Sequence, residues 1–205
     1  MAGRKKLSAS QRRDQLIEVG RKAFADKGFE AVSMEELAER AGVSKPILYQ
    51  HFGGKEGLYA VVVDREMGSL VGVVSEAISS GNPRERVEQA ATAFLRYVES
   101  NPDGFAVLCH DSPAGAEEGS LSSVMSDLAD RVGHIFASDF KKAGDNPRTA
   151  PIYAHALVGM VAFVGQWWMR ASKRPSVEVV SGHIASLAWM GLRHLPRKPE
   201  GLPRR

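Results

Sequence analysis

The strongest constraint on the fold of this chain is residues 32–52, VSMEELAERAGVSKPILYQHF, which read as two short helices joined by a glycine turn. Ser33 is placed to cap the first helix, and Glu36 three residues later would complete a capping box. Gly42 supplies the positive φ at which a helix ends without a steric penalty, and Ser44 is placed to cap the second helix. The pattern predicts a helix-turn-helix, a motif whose second helix enters the major groove of DNA.

The second of these helices has an outward face of mixed chemistry. Pro46 lies in its first turn, where no amide donor is missed, and Leu48 points inward. The side chains left for the outside are Lys45, Ile47, Tyr49, Gln50 and His51. A short helix that exposes a cation, an amide, a phenol and an imidazole packs poorly in a core and suits a DNA groove.

Residues 43–59, VSKPILYQHFGGKEGLY, resemble the DNA-binding domain of the TetR family of bacterial transcriptional regulators. The resemblance covers roughly residues 8–60 and includes Tyr49, His51, Phe52, Lys55 and Leu58. It implies an all-helical, homodimeric regulator whose C-terminal domain responds to a small molecule. It does not identify that ligand, because families of this kind vary most in the C-terminal domain.

Side-chain chemistry and the matching family positions together predict the phosphate contacts. Tyr49 and His51 can donate hydrogen bonds to phosphate oxygens, and Lys55 adds charge at the start of the next helix. Ser33 and Ser44 would bind phosphate through their hydroxyls or through the amides that they cap.

Base reading is assigned to three residues, with Pro46 completing the predicted DNA-binding set. Lys45 suits guanine O6 or N7, Gln50 suits adenine, and Ile47 can contact a thymine methyl group. Two alternatives stay open: Tyr49 packs against the first helix, and Ile47 is an exposed apolar residue without a base contact.

The positive charge of the chain is concentrated near its N-terminus. Residues 1–60 hold 11 Lys or Arg against 8 Asp or Glu, and the remainder holds 16 of each. The densest cluster comprises Arg4, Lys5, Lys6, Arg12 and Arg13. It is either a basic arm that follows phosphates or a minor groove, or a solvated, disordered tail.

The spacing of apolar residues predicts an all-α protein of about nine helices. A three-helix DNA-binding domain with a basic arm is expected at residues 1–54, a larger helical domain for effector binding and dimerisation at 55–196, and a disordered basic tail at 197–205. Predicted helices span residues 10–27, 55–79, 84–100, 121–142, 148–170 and 177–195, with a short segment at 105–110 and a loop at 111–119.

The last two helices are the predicted dimer interface. Residues 148–170 are apolar on every face, so a soluble protein must cover them on both sides. The following helix has an apolar stripe with small residues, of which Val180, Ile184, Leu187 and Gly191 are the predicted interface residues. A membrane span, which needs about 20 apolar residues, is disfavoured by Pro151, His155 and Gln166 within the run.

Aromatic and methionine side chains of the C-terminal region are candidates to line a ligand cavity. They are Phe94, Tyr97, Phe105, Met125, Phe136, Met160, Phe163 and Trp167. The alternative is that they simply fill the core. If they form a cavity, the effector is mainly hydrophobic, with Arg96, His110 or Gln166 as polar anchors.

Several other classes of protein fit the sequence poorly. The single cysteine, Cys109, excludes an internal disulfide, and residues 53–55 lack the spacing of a P-loop. No nucleophile, base and orienting group can be assigned, so we expect no enzyme, and we expect no cofactor. The histidines at 134, 155, 183 and 194 lack ligand spacing, so we expect no metal. The basic start has no apolar segment, so a cytoplasmic protein is expected.

The sequence therefore predicts a homodimeric transcriptional repressor that binds a palindromic DNA operator and is released by a small hydrophobic effector. The alternative is a DNA-binding protein without a small-molecule ligand, controlled by a protein partner or acting architecturally.

Overall fold

The computed structural model describes residues 7–109 and 121–192, which form nine α-helices and one 3₁₀ turn, Pro147–Thr149, without any strand. The helices are α1 (Ala9–Ala31), α2 (Met34–Ala41), α3 (Lys45–Phe52), α4 (Lys55–Ala77), α5 (Pro83–Ser100), α6 (Pro102–Cys109), α7 (Leu121–Ala143), α8 (Ala150–Arg170) and α9 (Val177–Leu192). The all-α prediction is confirmed. The predicted arm residues 4–6, His110, the loop 111–119 and the tail 197–205 lie outside the described residues.

The helices are divided between two compact units. The first comprises Met1–Ser69 and Asn101–Ser123, and the second comprises Leu70–Ser100 and Val124–Arg205. The first unit therefore contains α1 to α3, most of α4 and α6, whereas the second contains α5, α7, α8 and α9. The predicted boundary of the DNA-binding domain after residue 54 stays a prediction.

The core of the first unit is formed by α1 and the helices that pack on it. Leu16 and Phe24 of α1 are fully buried, and α1 contacts both α2 and α6. The predicted end of the first helix is confirmed in part, because Gly28 has φ 75° and interrupts the helix. Phe29 follows this interruption, and its ring centroid lies 5.0 Å from that of Tyr59 on α4.

The core of the second unit is built around α5. Its apolar stripe is buried as the three- and four-residue spacing predicts, with Val87, Ala91, Phe94, Leu95 and Val98 all inside. This stripe packs against α8 and α9. At the end of α8 the Trp168 indole is buried, and its Nε1 donates a hydrogen bond to the Pro175 carbonyl at 2.8 Å.

The apolar helix α8 has the length and composition of a membrane span when it is counted with the preceding turn, Pro147–Arg170. The core helix of a soluble protein satisfies the same criterion. One side of α8 is buried at Ala154, Ala162 and Gly165, and this helix contacts α5. The opposite side leaves Phe163 76% exposed, so α8 has one covered and one uncovered apolar face.

Candidate DNA-binding site and effector cavity

The turn between α2 and α3 has the predicted geometry. Gly42 adopts the left-handed conformation with φ 62°, and the amide of Val43 donates to the carbonyl of Ala38 at 3.0 Å. The Ser33 hydroxyl caps α2 by accepting from the Glu36 amide at 3.1 Å. These local signals fix the angle at which α3 leaves the turn.

The predicted capping box of α2 is wrong in its second half. The Glu36 carboxylate does not reach back to the Ser33 amide but binds Lys27 at 2.8 Å and Arg40 at 2.7 Å. These two cations lower the pKa of Glu36, with the hydrogen bond from Lys27 as the largest cause. The sequence spacing of a capping box therefore does not decide where a glutamate binds when cations lie near.

The start of α3 also differs from the prediction. Ser44 is the N-cap residue, but its hydroxyl makes no capping hydrogen bond and its side chain is exposed. Pro46 lies in the first turn, as predicted. Ser44 therefore presents an exposed hydroxyl at the N-terminal end of α3, and its predicted phosphate contact stays a prediction.

The faces of α3 are divided as the sequence predicts. Leu48 is buried, with 1% of its surface exposed, whereas Tyr49 is 51% exposed. Lys45 and Gln50 are exposed, and Ile47 and His51 are half-buried. The outward side of α3 thus carries Lys45, Tyr49 and Gln50, whereas two other predicted DNA-binding residues, Ser33 and Lys55, lie at the start of α2 and of α4.

One cation of this face already has a partner. Lys45 forms an ion pair with Glu35 of α2, and the hydrogen bond from Lys45 lowers the pKa of the Glu35 carboxyl. Both side chains are largely exposed, and such surface pairs contribute little to stability. Lys45 can therefore exchange Glu35 for a DNA group at small cost.

Arg13 has a role that sequence reasoning did not find. Its Nη1 donates to the carbonyl of His51 at 2.8 Å, and its guanidinium lies 4.7 Å from the centroid of the Phe52 ring. The C-terminal end of a helix carries partial negative charge, so an arginine is stabilising there. Arg13 of the predicted basic arm thus anchors the end of α3 to α1.

Lys55 is engaged at the C-terminal end of α1. Its Nζ donates to the Phe29 carbonyl at 3.0 Å and to the Glu30 carbonyl at 3.5 Å, and it lies 4.2 Å from the centroid of the Phe29 ring. The half-buried ammonium group therefore joins the first turn of α4 to α1. Its predicted phosphate contact stays a prediction.

Gly57 allows α4 to begin directly against the end of α3. A Cβ atom on Gly57 would lie 1.9 Å from the Phe52 carbonyl oxygen, so any other residue would force the two helices apart. This glycine is part of the GGKEGLY segment that carries the family resemblance, but the sequence alone does not indicate its contact.

The second unit contains an apolar cavity of about 60 Å³ between the C-terminal end of α4 and helices α5, α7 and α8. Its lining consists of Val74, Ile78, Arg86, Val87, Ala90, Phe94, Met125, Leu128, Val132, Ile135, Phe136, Leu157, Val158 and Val161. Arg86, the charged member of this described lining, binds Asp139 at 3.0 Å and the Gly81 carbonyl at 3.0 Å. Ligand sites of drug size enclose about 300–1,000 Å³, so this cavity must expand to take such a molecule.

The eight predicted ligand-binding residues do not share one site. Phe94, Met125 and Phe136 line the cavity. Tyr97 is buried within the second unit, and Phe105 is buried within the first unit on α6. The remaining three, Met160, Phe163 and Trp167, belong to α8, where Phe163 and Trp167 are 76% and 56% exposed. Of the predicted polar anchors, Arg96 is exposed and binds Glu178 at 3.3 Å, and Gln166 is half-buried.

An open apolar groove of about 410 Å³ lies between α8 and α9. It is lined by Met160, Val164, Trp167, Pro175, Val179, Val180, His183, Ile184 and Leu187. Two of the predicted interface residues, Val180 and Ile184, are already buried within the subunit, whereas Leu187 is 65% exposed and Gly191 is exposed. Trp167, Val179 and Leu187 of this lining are exposed, as are Ile152 and Phe163 of α8 and Met190 of α9.

The helix-turn-helix and the surrounding helices define a class, that of the helical DNA-binding transcription regulators. A family model described as "Bacterial regulatory proteins, tetR family" matches residues 16–62, and one described as "Tetracyclin repressor-like, C-terminal domain" matches residues 73–203. The chain belongs to the TetR family of bacterial regulatory proteins. Members of this family bind DNA operators and act as dimers.

Individual relatives agree with this assignment. The HTH-type transcriptional activator FasR of Mycolicibacterium smegmatis is 29% identical over 196 residues, which cover 93% of this chain and 87% of that protein. The HTH-type transcriptional repressor KstR2 of Rhodococcus jostii is 26% identical over 99 residues, which cover 48% of each chain. The crystal structure of a TetR-like regulator from Rhodococcus sp. RHA1 superposes with a TM-score of 0.74 at 30% identity, covering 92% of this chain and 99% of that one.

Proposed function

We propose that the protein is a homodimeric, cytoplasmic repressor that binds a palindromic operator through α3 and leaves it when a small hydrophobic effector binds the second unit. The observation that carries the proposal is the exposed face of α3. Lys45, Tyr49 and Gln50 are exposed on this helix, whereas Leu48 is buried in the core on its other side. Such a helix is built to enter the major groove.

The contacts with DNA divide into two groups. Tyr49, His51, Ser33 and Ser44 hold phosphates and fix the register, because hydroxyl, phenol and imidazole groups suit phosphate oxygens. The bases are read by Lys45, Ile47 and Gln50 of α3. Pro46 lies in the first turn of the same helix. Lys55 contributes charge to this surface.

The dimer forms through the exposed apolar side chains of α8 and α9. Phe163, Trp167, Leu187 and Met190 lie more than half exposed in one subunit, and a second copy that packs on this surface removes them from water. A symmetric dimer places two copies of α3 against two half-sites of a palindrome.

The effector site lies at the cavity lined by Phe94, Met125 and Phe136. A ligand there weakens DNA binding only if it prefers the DNA-incompetent state, and a tenfold loss of operator affinity needs about 1.4 kcal/mol of that preference. The small volume of the cavity means that binding is coupled to movement of the surrounding helices. That coupling is the means by which an apolar molecule changes the separation of the two α3 helices.

A second candidate function is activation. FasR, whose match covers 93% of this chain, is named a transcriptional activator. An activator of this class would use the same α3 contacts and the same dimer, but it would raise transcription when bound.

A third candidate function is that of a regulator without a small-molecule ligand. It is favoured by the small volume of the cavity, about 60 Å³.

The proposal is tested by selecting bound fragments from genomic DNA with the purified protein and measuring transcription from the selected sites. Repression predicts lower transcription when the protein is added, and activation predicts higher transcription. Failure to select any common sequence would contradict both.

The role of α3 in base reading has a matched pair of variants. Lys45→Ala is expected to relax the preference at one base position by about 1–3 kcal/mol. Lys22→Ala is the control, because Lys22 is also an exposed lysine with a glutamate partner, Glu18 at 3.6 Å, but lies on α1. An unchanged consensus for Lys45→Ala would remove Lys45 from the base-reading group.

A further inference from the structure

We propose that the ring of Phe94 limits the volume of the effector cavity, and that Gly165 determines how far this ring can withdraw from it. The pair thereby selects which apolar groups the second unit admits. This inference rests on the proposed function, because it assigns a role at the same effector site.

Phe94 lies at the meeting of the cavity and α8. The residue belongs to α5, is buried with 2% of its surface exposed, and lines the cavity. Its ring lies against Gly165, a buried residue of α8. The ring of Phe94 therefore contacts α8 and also lines the cavity.

The ring of Phe94 lies so close to the backbone of Gly165 that it leaves no room for a side chain at position 165. A Cβ atom at position 165 would lie 2.5 Å from Cε1 of Phe94, 3.3 Å from Cδ1 and 3.5 Å from Cζ. Favourable carbon contacts lie at about 3.5–4.0 Å. The ring thus occupies the space that a methyl group at position 165 would need. The absence of a side chain at Gly165 lets the ring lie against the backbone of α8.

A methyl group at position 165 would displace the ring rather than the helix. The backbone of α8 is held on either side of Gly165 by the buried residues Ala162 and Trp168. Phe94 also lines the cavity, so the displaced ring can move toward it. One added methyl group is a substantial fraction of a volume of about 60 Å³, so this movement reduces the space left for a ligand.

The lining determines the class of ligand. Its described members are aliphatic and aromatic apart from Arg86, whose guanidinium is held by Asp139 and by the Gly81 carbonyl. A charged ligand group would have to break that ion pair in an apolar site, which is costly. The cavity therefore accepts an uncharged, apolar group of a few carbon atoms, whose size is set by the position of the Phe94 ring.

Xenon and benzene are suitable probes, because dry apolar cavities in proteins bind both. Xenon binding to the full-length protein is followed through the methyl chemical shifts of the Val, Leu and Ile residues of the lining. The unmodified protein is expected to show saturable shifts confined to these methyl groups. Gly165→Ala is expected to weaken xenon binding at least tenfold, and Phe94→Leu is expected to strengthen benzene binding at least tenfold.

The control for the added methyl group is Gly159→Ala. Gly159 lies on the same helix, is exposed, and has no neighbouring atom within 4 Å of the new Cβ position. This variant is expected to bind xenon as the unmodified protein does. The double variant Gly165→Ala with Phe94→Leu is expected to recover xenon binding, because the ring that the methyl group displaces is gone.

The outcomes separate this inference from the proposed function. Unchanged xenon shifts in a folded Gly165→Ala protein would overturn the inference, and so would a Phe94→Leu protein that gains no benzene affinity. If the Gly165→Ala protein does not fold, the benzene affinity of the Phe94→Leu protein is the deciding measurement. If both arms behave as expected but no apolar ligand alters operator binding, the pair still controls the cavity and the effector part of the proposed function fails.

Discussion

At the scale of single residues, the buried side chain of Glu66 joins helices of the first unit, and it fits there because residue 104 is a glycine. Glu66 of α4 is only 8% exposed, and its Oε1 lies 3.9 Å from Nε of Arg21 on α1. A Cβ atom on Gly104 would lie 2.0 Å from Oε2 of Glu66, so the carboxylate rests against the first turn of α6. The N-terminal end of a helix favours an anion, and Glu66 thus joins three helices.

Gly104→Ala is therefore expected to destabilise the protein by about 1–3 kcal/mol, because the methyl group must displace a buried, charged side chain. Urea unfolding measures the effect. The matched control is Gly68→Ala on α4, which adds the same methyl group in open space. That variant should be neutral or more stable by up to about 1 kcal/mol, since alanine favours helix. Equal effects of the two substitutions would rule out the contact with Glu66 as the cause.

The ion pair of Glu18 and Arg21 predicts a dependence of stability on pH. The hydrogen bond from Arg21 lowers the pKa of Glu18, so the pair stabilises the protein above the ordinary glutamate pKa of about 4.3. This contribution is lost as the pH falls through the lower pKa of the folded state. Glu18→Gln should therefore lower the urea midpoint at pH 7, and this difference should shrink as the pH falls below about 4. The effect should stay below about 1 kcal/mol, because 49% of the Glu18 side chain is exposed.

At the scale of secondary-structure elements, two cations join the helices of the first unit to one another. Arg13 of α1 binds the carbonyl of His51 near the C-terminus of α3, and Lys55 of α4 binds the carbonyls of Phe29 and Glu30 near the C-terminus of α1. Each contact places a positive group where a helix carries partial negative charge. The position of α3 therefore depends on α1 through Arg13 and on α4 through the close approach at Gly57, as well as on the turn at Gly42.

Lys55→Met keeps most of the side chain and removes the charge. It is expected to lower the free energy of unfolding by about 1 kcal/mol, because two hydrogen bonds to a helix end are lost. If Lys55 also contacts phosphate, the salt dependence of binding to non-specific duplex DNA should fall by about one unit. Lys22→Met on α1 is the control for loss of charge. A lower stability with an unchanged salt slope would make Lys55 a structural residue alone.

At the scale of the whole molecule, the exposed apolar surface of α8 and α9 determines the expected assembly. The side chains that remain more than half exposed there include Phe163, Trp167, Leu187 and Met190. Val180 and Ile184, which the small-residue stripe predicts at the interface, are instead buried within the subunit. A charged substitution at the buried Ile184 would therefore disturb the folding of the subunit itself. A test of the dimer interface requires substitutions at side chains that are exposed in the subunit.

The double variant Phe163→Asp with Leu187→Glu is expected to be folded but monomeric, because both positions are exposed in one subunit and both lie on the proposed interface. Sedimentation velocity measures the assembly, and circular dichroism measures the helical content. Ser138→Asp on α7 adds a charge at an exposed position and should leave the dimer intact. A double variant that remains dimeric would place the interface elsewhere.

Much of the fold could be predicted because its signals are local. The helix predicted at residues 55–79 is observed as Lys55–Ala77, and the one predicted at 84–100 is observed as Pro83–Ser100. The positive φ of Gly42 and the burial of Leu48 follow from the type and spacing of neighbouring residues. The family resemblance could be found for the same reason, since the residues that carry it lie in one continuous stretch, residues 43–59.

The sequence by itself thus determined the helices, the helix-turn-helix and the outward residues of α3, because each depends on residues a few positions apart. Only the tertiary structure decided which partner each side chain finds. Lys55 meets Phe29, Glu66 meets Gly104, and Phe94 meets Gly165 across separations of 26, 38 and 71 residues. Periodicity marks a helix face as apolar but does not say whether that face meets another helix, a cavity or a second subunit. That choice follows from how the helices pack, which is a property of the whole chain.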